Sequence, residues 1–347
     1  MFPFSAIVGQ EELKRALILH AIDPGIGGVV IFGDRGTGKS TAVRALARLL
    51  PSIRAVAGCR FRCDPDQPTE WCSECREKFN AATPPPTVEC PIPVVDLPLG
   101  VSEDRLLGSL DIEAALAEAR KVFSPGLLAE AHRGFLYIDE VNLLEDHLVD
   151  LLLDAAASGV NVVEREGISL QHPARFVLIG SGNPEEGDLR PQLRDRFALC
   201  VEVSTTEDIA VRTEIVRRRL SYEMDPEVFR RTWEAEERRL AQRIVRARER
   251  LRGIDHSDLA LEAAARIAGQ LKLQGHRGEM AALRSAAALA AWEGADRVSP
   301  EHVFQMALPA FRHRLPERRS PEAARDEVLF AIEQTKHAMM RLNFQGA

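Results

Sequence analysis

Gly33-Asp34-Arg35-Gly36-Thr37-Gly38-Lys39-Ser40 follows the β-branched run Val29-Val30-Ile31-Phe32 and opens a stretch over 41–50 that stops before Pro51. A short apolar run bounded by glycine predicts a buried strand, and the 3.6-type apolar spacing after it predicts a helix. Between the two, glycines let consecutive N–H groups point inward around an anion, and the helix start adds its positive dipole end. The loop therefore predicts a nucleotide phosphate site, in the strand–loop–helix setting that G-x-x-x-x-G-K-[ST] requires. Gly33, Asp34, Arg35, Gly36, Thr37 and Gly38 would form the cradle. Lys39 would reach the β- and γ-phosphates of ATP, and the Ser40 hydroxyl would ligate Mg²⁺. The bare pattern arises by chance in roughly one chain in a hundred of this length, so its setting carries much of the weight.

Phe135-Leu136-Tyr137-Ile138 and Phe176-Val177-Leu178-Ile179 are two more apolar runs, and such repeated strand–helix units predict a parallel sheet with helices on both faces. The first runs into Asp139-Glu140, which a strand would deliver to the C-terminal sheet edge where open α/β folds bind ligands. Asp139 is expected to hold Mg²⁺, and Glu140 to act as general base on the attacking water. The second ends at Gly180-Ser181-Gly182-Asn183-Pro184, where Asn183 either orients that water or caps a turn before proline. Val162-Val163-Glu164-Arg165 and Ile168-Ser169-Leu170-Gln171 predict a β-hairpin turned at Glu166-Gly167. Residues 111–122 read as a helix behind an irregular segment over 94–108.

In-line phosphoryl transfer spreads negative charge over the γ-phosphate oxygens, and an arginine from outside the pocket can neutralise it. Within Arg190-Pro191-Gln192-Leu193-Arg194-Asp195-Arg196-Phe197, Arg196 is the expected finger, Arg194 is its rival, and Asp195 would position either. A surface arginine paired with Asp195 fits the same letters. Gly275-His276-Arg277-Gly278 opens an Ala-rich helix, and Arg277 is expected to fold over the nucleotide, with Arg284 the alternative. A helix start with a solvent-facing arginine fits as well.

From about residue 207 strand signals vanish and Ala-, Leu-, Arg- and Glu-rich helical patterns take over, which divides the 347 residues into 1–206 and an all-α region over 207–347. The apolar share of 45% and charged share of 28% are those of a globular protein. No apolar stretch is long enough to span a bilayer. Residues 1–9 lack the basic start and apolar run of a secretion signal, so a cytoplasmic location is expected. A net charge of −7 argues against a nucleic-acid-binding surface, and Arg217-Arg218-Arg219 and Arg238-Arg239, interleaved with acidic residues, read as solvated helix faces. Cys59-x3-Cys63-x8-Cys72-x2-Cys75 suits a structural Zn²⁺, with Cys90 as a spare; free thiols also fit this spacing.

The order of phosphate loop, acidic strand end, Asn183, the Asp195-Arg196-Phe197 arginine and a helical-lid arginine resembles the AAA+ superfamily. Within it, Gly33 to Leu46, Val95-Asp96-Leu97-Pro98-Leu99-Gly100-Val101-Ser102-Glu103-Asp104-Arg105, Gly134 to Asp154 and Gly182 to Leu193 are similar to the magnesium chelatase ATPase subunit family. The resemblance implies an AAA+ P-loop core with a β-hairpin insertion and an all-α lid, and Phe4 to Glu11 packing on adenine. It implies a homo-oligomeric ring of six or so subunits, with ATP between neighbours. A related AAA+ subunit and a large porphyrin-binding subunit would be its partners. Together they would insert Mg²⁺ into protoporphyrin IX on the way to chlorophyll or bacteriochlorophyll, in cytoplasm or plastid stroma. A cobalt chelatase motor and a MoxR-type remodelling chaperone are the neighbouring readings; the Asp96 to Arg105 run favours a chelatase over the chaperone. A non-hydrolysing nucleotide-gated scaffold is the reading from another class, and Glu140 and Arg196 count against it. Thiol regulation of some relatives adds a redox switch to the readings of the cysteines. The tail from Arg312 on resembles nothing.

Overall fold

A computed structural model describes residues 1–34, 36–80, 83–111, 122–165, 168–183, 189–316 and 319–345. Arg35, the turn Glu166-Gly167 and the interior of the helix expected over 111–122 lie outside them. The chain forms two compact units, Met1–Ala42 with Asn183–Ala347, and Val43–Gly182.

In the first unit, strand Val29–Gly33 pairs in parallel with Leu199–Val203, from Val29 opposite Leu199 to Gly33 opposite Val203. Helices Glu11–Ile22 and Pro300–Phe311 pack on the second of these strands. The apolar spacing of Leu13, Ala16 and Leu17 gives the first helix one buried face, and Ile31, Phe197 and Phe311 are as fully buried as its leucines. Each such side chain contributes about 2 kcal/mol by leaving water. The remaining helices include Ile209–Met224, Pro226–Leu251, Asp258–Gln270 and the Ala-rich Arg277–Glu293, whose small residues allow close packing against Pro300–Phe311. The helical character expected after residue 207 holds, with one small addition: Asp255–His256 and Arg297–Val298 pair as two-residue parallel strands.

In the second unit, Phe135–Ile138 lies between Val94–Leu97 and Val177–Gly182, both parallel to it. All four residues of Phe135–Ile138 are buried, as befits a strand covered on both faces. The segment over 94–108 is thus a strand followed by helix Glu103–Leu107, capped by the Ser102 hydroxyl. Pro93 and Pro98 flank the strand and hide it, because proline ordinarily marks a loop. The ends of the helix expected over 111–122 are strands: Gly108–Asp111 pairs antiparallel with Val122–Pro125. The hairpin is present as Val160–Arg165 against Ile168–Pro173. Ile53–Val56 and Thr87–Cys90 form a second antiparallel stem below the cysteine-rich segment.

Candidate functional site

The phosphate loop is shaped by its backbone. Gly36 and Gly38 sit at φ +79° and +81°, in the left-handed region. Gly33 is at φ +151°, and a Cβ there would come within 1.9 Å of the Val203 carbonyl oxygen, so only glycine fits beside the partner strand. Thr37 Oγ1 donates to the Asp34 carbonyl at 2.9 Å and Gln10 Nε2 donates to that of Thr37, which ties the loop to the N-terminal segment. Lys39 Nζ donates to the carbonyls of Gly33 at 2.6 Å and Asp34 at 3.0 Å. A cationic amine held against a glycine-rich loop suits a polyphosphate. Ser40 follows, half-buried, in the first turn of Lys39–Leu49.

Beside this loop lies a cavity of about 580 Å³, within the range for a nucleotide-sized ligand. Ile7, Val8, Val211, Ile215 and Val216 supply apolar lining, while Thr37, Gly38 and Thr205 supply polar groups at the loop end. Ile215 and Val216 are 42% and 56% exposed, which leaves apolar surface facing a space that a flat aromatic base can fill.

On the second unit, strand Phe135–Ile138 delivers Asp139 and Glu140. Ser181 Oγ donates to Asp139 Oδ1, and Tyr137 Oη lies 3.2 Å from the same oxygen and 3.0 Å from Ser181 Oγ. One carboxylate oxygen is thereby fixed by two hydroxyls. Burial pushes the Tyr137 phenol up to about 12, so it remains a donor. Glu140 has left-handed backbone at φ 52°, a conformation costly for a residue with a Cβ and common where a side chain must be aimed. Asn183 is the residue after strand Val177–Gly182.

Helix Pro191–Arg196 carries Arg194, Asp195 and Arg196, and Arg277 Nη1 stands 4.0 Å from Asp195 Oδ2. Arg284, two turns further along its helix, donates instead to the Gly25 carbonyl.

The four thiols of Cys59, Cys63, Cys72 and Cys75 lie within 4.8 Å of one another, three of them buried. Cys90 stands apart, its thiol facing the Ile53 carbonyl at 3.7 Å, so the spare-ligand expectation for it fails. Hydrogen bonding within the cluster lowers the Cys59 thiol and raises those of Cys63 and Cys72, while burial raises Cys75. The geometry suits a tetrahedral soft cation.

Residues 111–202 match the family described as magnesium chelatase, subunit ChlI, and residues 261–332 match the AAA lid domain. The magnesium-chelatase 38 kDa subunit of Acidiphilium rubrum is 56% identical over 347 residues, which covers 100% of this chain and 99% of the relative. The chain belongs to the magnesium chelatase ATPase subunit family. A solved complex between subunits BchI and BchD of magnesium chelatase contains a chain 54% identical to this chelatase subunit, with a TM-score of 0.53 over 93% of it and 98% of the other. A crystal structure from Cytophaga hutchinsonii, at 15% identity and a TM-score of 0.61 over 95% of this chain and 91% of that one, shares the fold alone. The AAA+ architecture and the family expected from the sequence are both borne out. Among the described residues, no helix is long and apolar enough to cross a membrane.

Two groups escape a sequence reading of this chelatase subunit. Ile209–Met224, whose arginines read as a solvated face, also supplies Val211, Ile215 and Val216 to the cavity. Its Arg217 and Arg219 do pair with Glu214 and Glu223, at 2.5 and 2.6 Å, and Arg218 pairs with Glu214 at 2.7 Å while also reaching the Ala6 carbonyl at 3.1 Å. The second group is Arg312-His313-Arg314. Arg314 donates to the carbonyls of Phe197 at 2.7 Å and Ala198 at 2.9 Å, His313 Nε2 lies 2.8 Å from the Phe197 carbonyl, and Arg312 pairs with Glu202. His313 and Arg314 hold the backbone that follows Arg196, and Arg312 pairs with a side chain of the strand after it. An arginine–glutamate pair near the end of a helical run was the available signal, and its partner lies too far away in sequence to be named.

Proposed function

We propose that the chain hydrolyses ATP as the motor subunit of a magnesium chelatase, driving Mg²⁺ insertion into protoporphyrin IX in chlorophyll or bacteriochlorophyll synthesis. The observation that carries this reading is the cavity beside the Lys39 loop, open to a base at Ile215 and Val216, in a chain 56% identical end to end to a magnesium-chelatase subunit. Gly33, Asp34, Arg35, Gly36, Thr37 and Gly38 cradle the phosphates in this proposal. Lys39 neutralises them, and Ser40 and Asp139 hold the Mg²⁺ of MgATP. Glu140 is the general base, Asn183 orients its water, and Arg277 acts from the lid. Its exposed guanidinium, in contrast to the tethered one of Arg284, supports that choice. Arg196 serves the neighbouring subunit's nucleotide in a homo-oligomeric ring, for which six copies is our reading. Residues 1–206 are the nucleotide-binding core and 207–347 the lid domain.

A second AAA+ subunit and a large porphyrin-binding subunit complete the enzyme, in the cytoplasm or a plastid stroma; the BchI–BchD complex supports the first partner. We also read Cys59, Cys63, Cys72 and Cys75 as ligands for a structural Zn²⁺. Reconstitution with candidate partner subunits tests the function, with metal insertion followed by the porphyrin's absorption change. ATP-dependent insertion of Mg²⁺ is expected. Insertion of Co²⁺ into a corrin in preference, or ATP turnover with no insertion by any partner set, would overturn the assignment.

A further inference from the structure

Residues 57–86 connect Ile53–Val56 to Thr87–Cys90 with little apolar material of their own. Among their described residues, the buried apolar side chains are Phe61, Trp71 and three cysteines. A segment this short cannot fold on so small a core and needs a metal, disulfides or a neighbour. The Sγ atoms of Cys59 and Cys72 are 3.9 Å apart. A zinc tetrathiolate with bonds of about 2.3 Å has tetrahedron edges of about 3.8 Å. The Cys72 amide also donates to Cys63 Sγ at 3.2 Å, an arrangement that steadies a thiolate ligand.

The loop between the first two ligands is tightly wound. Gly58 and Arg62 both have left-handed backbone, at φ +74° and 49°. Arg60 pairs with Glu74, between the last two cysteines, and also donates to the Phe123 carbonyl at 2.6 Å, while Arg62 donates to the Glu130 carbonyl. Phe61 stacks on the His172 ring with centroids 4.8 Å apart and planes 15° from parallel. His172 is the buried residue opposite Asn161 at the base of the hairpin, and Asn161 Nδ2 binds both His172 Nε2 and the Leu107 carbonyl at 2.9 Å.

Resting on the zinc reading of the four thiols, we propose that the metal-bound cluster braces the hairpin Val160–Arg165/Ile168–Pro173. Zn²⁺ fixes the loop from Cys59 to Cys63, the loop fixes Phe61, and Phe61 holds His172. Because binding free energy at such a site is folding free energy, metal loss frees the loop and with it the hairpin base. The hairpin of this motor is thereby under metal control, through residues remote in sequence from the phosphate loop.

Protein purified without chelator is expected to carry one zinc per chain by elemental analysis. Hydrogen–deuterium exchange over 168–173 is expected to quicken by roughly tenfold when the metal is stripped, while strand Val29–Gly33 stays protected. Phe61→Ala should retain the zinc and quicken the same amides roughly three- to tenfold, the scale of one lost aromatic contact. A chain that holds no zinc and takes none from zinc-supplemented buffer overturns the metal site itself. Zinc bound in full, with exchange over 168–173 unmoved by either stripping or Phe61→Ala, leaves the metal site standing and overturns the brace.

Discussion

The segments we assign to the nucleotide and the surroundings of the cysteine cluster both concentrate arginines, and they use them in opposite ways. Arg196 is half-buried at the end of its short helix, and the Arg277 side chain, 64% exposed, reaches only a loose 4.0 Å approach to Asp195. Such a pair in solvent is worth well under 1 kcal/mol, so little is lost when the guanidinium moves to a phosphate. Around the cysteines, Arg133 donates to the Arg54 carbonyl at 2.6 Å, the Arg62 carbonyl at 3.2 Å and the Asp64 carboxylate at 2.7 Å. Its side chain is 20% exposed and its task is to tie chain segments together. On the assignment proposed above, the first set is held in readiness for a ligand, and the second is consumed by the fold. Substitutions in the two regions should therefore separate turnover from stability.

The largest effect is expected at Arg196. Arg196→Ala should lower ATP turnover by about a thousandfold, the scale of an arginine finger, with the melting temperature unchanged. Mixing it with Lys39→Ala subunits should restore part of the activity, since each supplies what the other lacks; mixed rings as inactive as their parents would break the assignment in trans. Glu140→Gln comes next. Turnover should fall by at least about a hundredfold while MgATP binding, read by nucleotide fluorescence, persists. Unchanged turnover would mean that another group is the base.

The same contrast explains what could be read from the sequence. The phosphate loop is contiguous and its glycines are demanded by backbone geometry, so Gly33 to Ser40 was legible outright. The strand leading to Asp139 was legible because four buried apolar residues in a row have few other fates. Strand Val94–Leu97 was not, since Pro93 and Pro98 masked it. The cavity lining at Ile215 and Val216 was hidden in a helix whose charged majority signals solvent. His313 and Arg314 were invisible for a different reason: they recognise backbone carbonyls at Phe197 and Ala198, and a carbonyl has no letter. The cysteine cluster was legible by spacing, yet nothing in that spacing pointed to His172, which Phe61 meets only in the folded unit.

Arg133→Met tests the consumed set. Asp64 and two carbonyls would lose their donor, at a cost of about 2 kcal/mol for a partly buried charged hydrogen-bonding group. Methionine keeps the left-handed strain at φ 62° as it is, so the loss reports the hydrogen bonds. Chemical denaturation should show it, with ATP turnover within twofold of the parent. A variant equally stable but slow would erase the distinction between the two regions.

The smallest effect is a pH dependence next to that arginine. Burial, assisted by the Arg133 charge, pushes His132 down to about 3. Its neutral Nδ1 accepts the Arg175 amide at 3.1 Å, a bond that protonation would break. The unfolded chain, with an ordinary histidine near 6.5, binds the proton first as pH falls. Stability from this group is therefore full above about pH 6.5 and is lost progressively down to about pH 3, at up to about 1.4 kcal/mol per pH unit. Between pH 7 and 5.5 the loss should be about 1 kcal/mol. His132→Gln can keep an acceptor for the Arg175 amide without a titrating ring, so its denaturation midpoint should be flatter over that window. In Arg133→Met the neighbouring positive charge is gone, His132 titrates higher, and the loss should level off at a less acid pH. A midpoint with the same pH profile in all three proteins would show that this histidine does not sense the arginine, and that the buried charges here do not act as one network.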